Sequence, residues 1–95
     1  MAKLIRDKYI NIIDNANLSI VPDKVALQYA IDKIEEELIE LKESNFEDIY
    51  EFADCIEVLY TVARLKGFSR EEVTDAINTK NSEKGAFTKN IILLR

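Results

Sequence analysis

Two pairs of carboxylates carry the chemistry this chain can do. Glu37 and Glu40 lie three residues apart, and so do Glu51 and Asp54. Residues three apart on a helix share a flank, so each pair can aim two carboxylates the same way. The chain has no histidine, which excludes Ser–His catalysis, His-ligated zinc and imidazole acid–base chemistry. A metal here must take oxygen ligands, which points to Mg2+, Mn2+ or Ca2+. The single cysteine, Cys55, excludes an internal disulfide and reads as a packing residue rather than a nucleophile.

Helices must position these groups. Only two glycines and one proline occur in 95 residues, too few for the turns of an all-β fold. Asp23 reads as the N-cap of a first long helix over 24–43, with Leu27, Ala30, Ile31, Ile34, Leu38 and Leu41 as its apolar stripe. Asn45 reads as the cap of a second long helix over 46–66, ending at Gly67. That helix has two apolar faces, one with Ile49, Phe52, Ala53, Ile56, Leu59, Tyr60 and Ala63, the other with Cys55, Val58, Val62 and Leu65. A helix apolar on both sides is packed on both sides, and in so short a chain a second subunit is the natural partner. Ser69 and Glu72 spell a capping box for a third helix over 70–82. A short helix is expected over 7–15, an extended stretch over 18–22, and in the tail an apolar run, Ile91 to Leu94, that forms a strand or docks on the bundle. The expected fold is therefore all-α: one domain, a bundle of two long antiparallel helices plus shorter ones, completed by oligomerisation.

Helical spacing of about 100° per residue puts Glu37 at the edge of the first stripe with Glu40 on the same flank. Glu51 and Asp54 continue the second face of the second long helix. A carboxylate on a packed seam costs several kcal/mol unless it is paired or protonated. A divalent cation removes that penalty, and helix bundles build metal sites from such side chains. Glu35, Glu36, Glu37, Glu40 and Glu43 can also be read as a solvated acidic face answered by Lys33 and Lys42. Spacing alone leaves both readings open.

The net charge is −5, which argues against duplex nucleic acid as the partner. Residues 32–57 hold eleven Asp or Glu and two Lys, whereas the start carries Lys3, Arg6 and Lys8, and the end carries Lys80, Lys84, Lys89 and Arg95. An acidic middle with basic ends suits a ligand that needs both a cation and a phosphate. Neither a signal peptide nor a membrane span is expected, and a reducing cytoplasm is the expected location. Tyr29, Tyr50 and Tyr60 read as core, Lys89 and Arg95 as solvated, and Phe87 as the one aromatic placed for base stacking.

Four segments in order carry a resemblance. Glu36-Glu37-Leu38-Ile39-Glu40 spells E-E-x-x-E and Glu51-Phe52-Ala53-Asp54 spells E-x-x-D. This pair resembles the MazG-type all-α nucleoside triphosphate pyrophosphohydrolases. Lys3-Leu4-Ile5-Arg6-Asp7-Lys8 and Lys84-Gly85-Ala86-Phe87 look like the K-L-V-R-D-K opening and R-G-G-F segment of a small subgroup of predicted house-cleaning enzymes for non-standard nucleotides. The chain departs from that subgroup in Tyr9 after Lys8, in Asn11 where a Glu is frequent, in Asn81 where a basic residue is expected, and in Lys84 for Arg. Lysine at a phosphate site keeps the charge and loses the bidentate fork.

The resemblance implies a Mg2+-dependent hydrolysis of a nucleoside triphosphate to the monophosphate and pyrophosphate, with Mn2+ as a substitute ion. It implies Glu37, Glu40, Glu51 and Asp54 as metal ligands and Glu36 as an extra ligand or a water-orienting base. Lys3, Arg6, Lys8 and Lys84 would contact phosphates, and the assembly would be a homodimer or homotetramer. Two alternatives accompany it: a catalytically silent dimerisation or regulatory module of the same fold, and a phosphoribosyl-ATP pyrophosphohydrolase.

Overall fold

The computed structural model describes residues 2–13 and 17–94. After a 3-10 turn at Asp7–Asn11 come three α-helices: α1 (Asp23–Glu43), α2 (Ile49–Leu65) and α3 (Arg70–Lys84). There is no strand among the described residues, so the all-α expectation holds. The short helix expected over 7–15 is reduced to that 3-10 turn, because Arg6 at its cap position offers no side-chain hydrogen bond to start an α-helix. Asp14 and Asn15, the end of that expected helix, lie outside the described residues, as does Arg95.

The helix ends explain where the expected boundaries shift. Pro22, not Asp23, occupies the N-cap of α1, and its carbonyl accepts from the Val25 and Ala26 N–H groups at 3.0 and 2.9 Å. Asp23 moves into the first turn, where a negative charge suits the helix dipole. At the other end Asn45 takes φ +58°. The Phe46 N–H then reaches the Leu41 carbonyl at 3.1 Å and the Asn45 N–H reaches Lys42 at 2.9 Å, the paired bonds of a Schellman stop. Asn45 is thus consumed in ending α1. Asp48 caps α2 instead, its carboxylate accepting from the Tyr50 N–H at 2.9 Å, and α2 starts three residues later than 46. Gly67 ends α2 as expected, at φ +97°. Ser69 and Glu72 form the expected capping box with two 3.0 Å bonds.

Five residues, 44–48, join α1 to α2, and so short a loop folds the two back on each other as an antiparallel hairpin. The seam is thin. Among the described residues only Ala30, Glu37 and Leu41 are buried, and all three lie on α1. Ile31 and Leu38, expected in the stripe, are exposed; the seam runs instead through Ala30, Ile34, Glu37 and Leu41, rotated toward the carboxylate. On α2 the half-buried face is that of Cys55, Val58, Val62 and Leu65. Most of the opposite face stays open: Ile49, Phe52, Ile56 and Leu59 are all exposed.

The tail beyond α3 forms neither a strand nor a docked segment. Phe87 and Ile91 to Leu94 are exposed, because the apolar run finds no strand among the described residues to pair with. No described helix is long and apolar enough to cross a membrane. The chain exposes 8486 Å², against about 5,600 Å² for a monomeric protein of its mass.

Replacing Gly67 by Ala puts a Cβ on a left-handed residue that closes two hydrogen bonds. Denaturant unfolding is expected to show a loss of about 1 kcal/mol.

Candidate metal centre

The hairpin turn sets the site. Glu40 stands one turn before the end of α1 and Glu51 in the first turn of α2, so folding at 44–48 brings them side by side. Glu37 and Asp54 follow one turn further from the loop on their respective helices. The result is that Glu37, Glu40 and Glu51 each offer a carboxylate oxygen, all within 4.8 Å of one another. Three like charges at that separation repel, and one of the three residues, Glu37, is only 6% exposed.

The polar accounting of this group is incomplete. Glu37 Oε2 and Glu51 Oε2 are both buried with no hydrogen-bond partner. A buried acceptor without a donor costs roughly 1–3 kcal/mol, and more when charged. Burial, and then the neighbouring Glu40, push the Glu37 carboxyl above its ordinary value. Burial and the charge of Asp54 do the same to Glu51. Oxygen donors, close spacing and two orphaned oxygens are what a hard divalent cation satisfies, so the residues present fit such an ion.

The remaining expected residues fall around this trio. Asp54 is engaged by an ion pair from the Arg6 guanidinium. Glu36 accepts from Lys3 at 3.4 Å and from Lys33 at 3.2 Å. Against the cost of burial, those ammonium groups hold the Glu36 carboxyl below its ordinary value. Lys3 and Arg6, 33 and 48 residues away in sequence, are thus brought to the acidic seam. Lys8 is exposed on the 3-10 turn and makes no ion pair among the described residues. Lys84 lines a separate cavity with Gly85, Phe87 and the rest of the tail, so a single chain does not join it to the carboxylates. Cys55 is half-buried, and burial followed by the Glu37 charge raises its thiol, which disfavours a nucleophilic thiolate.

Spacing in the sequence gives Lys33 only as a partner of a solvated acidic face, and it passes over Arg64. Lys33 has a mostly buried side chain, 15% exposed, and its ammonium lies 3.4 Å from Glu37 Oε1. Among the described residues it is the one cation inside the seam, and its spacing one turn before Glu37 was the available signal. Arg64 lines a cavity beside Glu37 and Asp54. It sits on the flank of α2 that also carries Glu57 and Thr61, at three- and four-residue spacing.

Residues 18–88 match the family model described as dATP/dGTP pyrophosphohydrolase. That span holds all four carboxylates, Glu36 and Lys84, whereas Lys3, Arg6 and Lys8 precede it. No curated protein and no solved structure matches the chain.

The Glu37 and Glu51 carboxyls are raised above their ordinary 4.5, so between 4.5 and those raised values the folded state holds protons that the unfolded state has released. The metal-free protein is therefore expected to gain stability as pH falls from neutral toward 4.5. Glu36, held low, keeps its contribution over that window. Thermal melts of wild type against a Glu37→Gln, Glu51→Gln double variant check this: the variant should melt higher at neutral pH and vary less with pH.

Proposed function

The chain belongs to the dATP/dGTP pyrophosphohydrolase family, a hydrolase family acting on nucleotides, and we propose that it converts a nucleoside triphosphate and water to the monophosphate and pyrophosphate with Mg2+. The observation that carries the metal dependence is the convergence of Glu37, Glu40 and Glu51 with two orphaned buried oxygens. Purine deoxynucleoside triphosphates, after the family's description, and non-standard nucleotides are the substrate classes to which we assign it.

Glu37, Glu40, Glu51 and Asp54 would hold the ion, with Mn2+ as a substitute. Bound there, it supplies positive charge against the phosphate oxygens as the bond between the α- and β-phosphates breaks. Glu36, kept ionised by Lys3 and Lys33, orients the attacking water. Lys3 and Arg6 offset charge on the leaving pyrophosphate, and Lys8 on the adjacent 3-10 turn adds to the same basic edge. Lys84 reaches phosphate when the tail closes on the site or when the tail of a second copy does. A reducing cytoplasm suits a chain with one unpaired cysteine.

We also propose that the working form is a homodimer or homotetramer. The surface excess over a monomer of this mass is on the order of 2,900 Å², and obligate interfaces bury a comparable area. The exposed Ile49, Phe52, Ile56 and Leu59 form one stripe on α2, and Ile31 and Leu38 on α1 are likewise open.

Incubation with a panel of triphosphates including dATP and dGTP, plus Mg2+, is expected to release pyrophosphate. Glu40→Gln and Asp54→Asn should each lower turnover at least about 100-fold while circular dichroism stays unchanged. No turnover on any nucleotide, together with no Mg2+ or Mn2+ thermal shift, would return the chain to a silent interaction module.

Sedimentation equilibrium should give a multiple of 10.9 kDa. Ile56→Asp, which places a charge in the middle of the open α2 stripe, should shift that mass toward the monomer. A monomeric wild type would reject the assembly and leave the chemistry standing.

A further inference from the structure

A cavity of about 280 Å³ lies between residues 4–7 and the α1–α2 seam. Pockets that take a whole drug-sized ligand run to roughly 300–1,000 Å³, so this space suits part of a nucleotide. Three cations, Arg6, Lys33 and Arg64, line it with the carboxylates of Asp7, Glu37, Asp54 and Glu57. Most of these are already matched: Lys33 with Glu37, Arg6 with Asp54, and Glu57 with Arg70 at 2.5 Å from outside the lining. Among the described residues Arg64 makes no ion pair. Thr61 does not compete for the same ligand as a donor, since its hydroxyl donates to the Glu57 carbonyl at 2.9 Å.

The charge of the cavity depends on the metal site beside it. As it stands, three positive groups face four negative ones. Arg70 already answers Glu57 from outside the lining, and a divalent cation shared by Glu37 and Asp54 with Glu40 and Glu51 would free Lys33 and Arg6 from carboxylates they now pair with. Asp54, if it held that ion, would release Arg6. Arg6 is more than half exposed, and an ion pair at such a position is weak enough to exchange. A guanidinium presents a planar fork that matches phosphate oxygens.

We propose that this cavity is the subsite for the outer phosphates of the nucleotide, with Arg64 as its standing cation and Arg6 recruited to it when the divalent cation takes Asp54. The base and sugar then lie outside it. This rests on the metal-dependent hydrolase reading above.

Calorimetric titrations with Mn2+ alone, and with inorganic pyrophosphate in the presence of Mn2+, test both halves. Arg64→Gln is expected to weaken pyrophosphate binding about tenfold, with Arg64→Lys recovering part of the loss. Both variants should bind Mn2+ alone as wild type does. Arg6→Gln should weaken pyrophosphate and tighten Mn2+ alone by about two- to fivefold, because the competitor for Asp54 is gone. Unchanged pyrophosphate binding in both Arg64 variants would overturn the subsite. Unchanged or weaker Mn2+ binding in Arg6→Gln would overturn the recruitment. A wild type that binds no Mn2+ would overturn the metal reading and this proposal with it, whereas the two preceding outcomes leave the metal reading intact.

Discussion

A carboxylate in the contact between two helices is the constraint from which the rest of this structure follows. Glu37 is one of three buried residues among those described, and it stands in line with the other two, Ala30 and Leu41. An apolar side chain there would be worth roughly 1.5–3 kcal/mol of burial. A charged one reverses the sign unless something compensates it. Lys33 supplies part of that compensation from one turn away and leaves Glu37 Oε2 without a partner. Glu40 and Glu51 then aggravate the problem by bringing like charge within 4.8 Å. No requirement of packing explains three carboxylates in that arrangement, and the proposed cation is the group that would offset them.

The N-terminal segment makes sense against that background. Residues 2–6 have no regular structure, yet Lys3 and Arg6 both end on acids of the seam. Their side chains are more than half exposed, so each contact is individually weak. Weak contacts are what an exchange of partners requires. A tightly buried Arg6–Asp54 pair would compete with a divalent cation too well, and no contact at all would leave the acidic seam without counter-charge. The polarity noted in the sequence, acidic middle and basic ends, is therefore brought together at the N-terminal end and not at the C-terminal end, where Lys84 closes α3 and stays apart with the tail.

Helical type and the pairing of carboxylates were legible in the sequence because both depend on short-range spacing. The capping box at Ser69 and the stop at Gly67 were legible for the same reason. The cap at Asn45 was misread because Asn serves two local purposes, capping a helix start and adopting positive φ at a helix end; which one wins depends on Phe46 reaching back to Leu41, a bond that the spelling does not show. The rotation of the α1 seam was missed because Ile31 and Leu38 are the more apolar residues, and the stripe was drawn through them. The structure gives the seam to Glu37 and leaves those two open. Lys33 was misread on the same logic, as one more solvated partner of an acidic face. Arg64 carried no local signal at all, since its significance comes from residues 4–7 folding across α2.

The two misreadings on α1, the seam and Lys33, share a cause. Sequence patterns assume that the most apolar face is the buried face, and within one chain of this protein it is not. The hairpin turns a mixed, carboxylate-bearing face inward and leaves Phe52, Ile56 and Leu59 outside. Such an arrangement is unstable for a lone chain on two counts, repulsion inside and apolar exposure outside. The proposed divalent cation would answer the first and the proposed second copy the second. Both would act on the same pair of helices, because α2 carries Glu51 and Asp54 on one face and the open apolar stripe on the other. Stiffening α2 from outside fixes Glu51 and Asp54 relative to α1, so assembly and cation binding are expected to be coupled through the rigidity of that one helix.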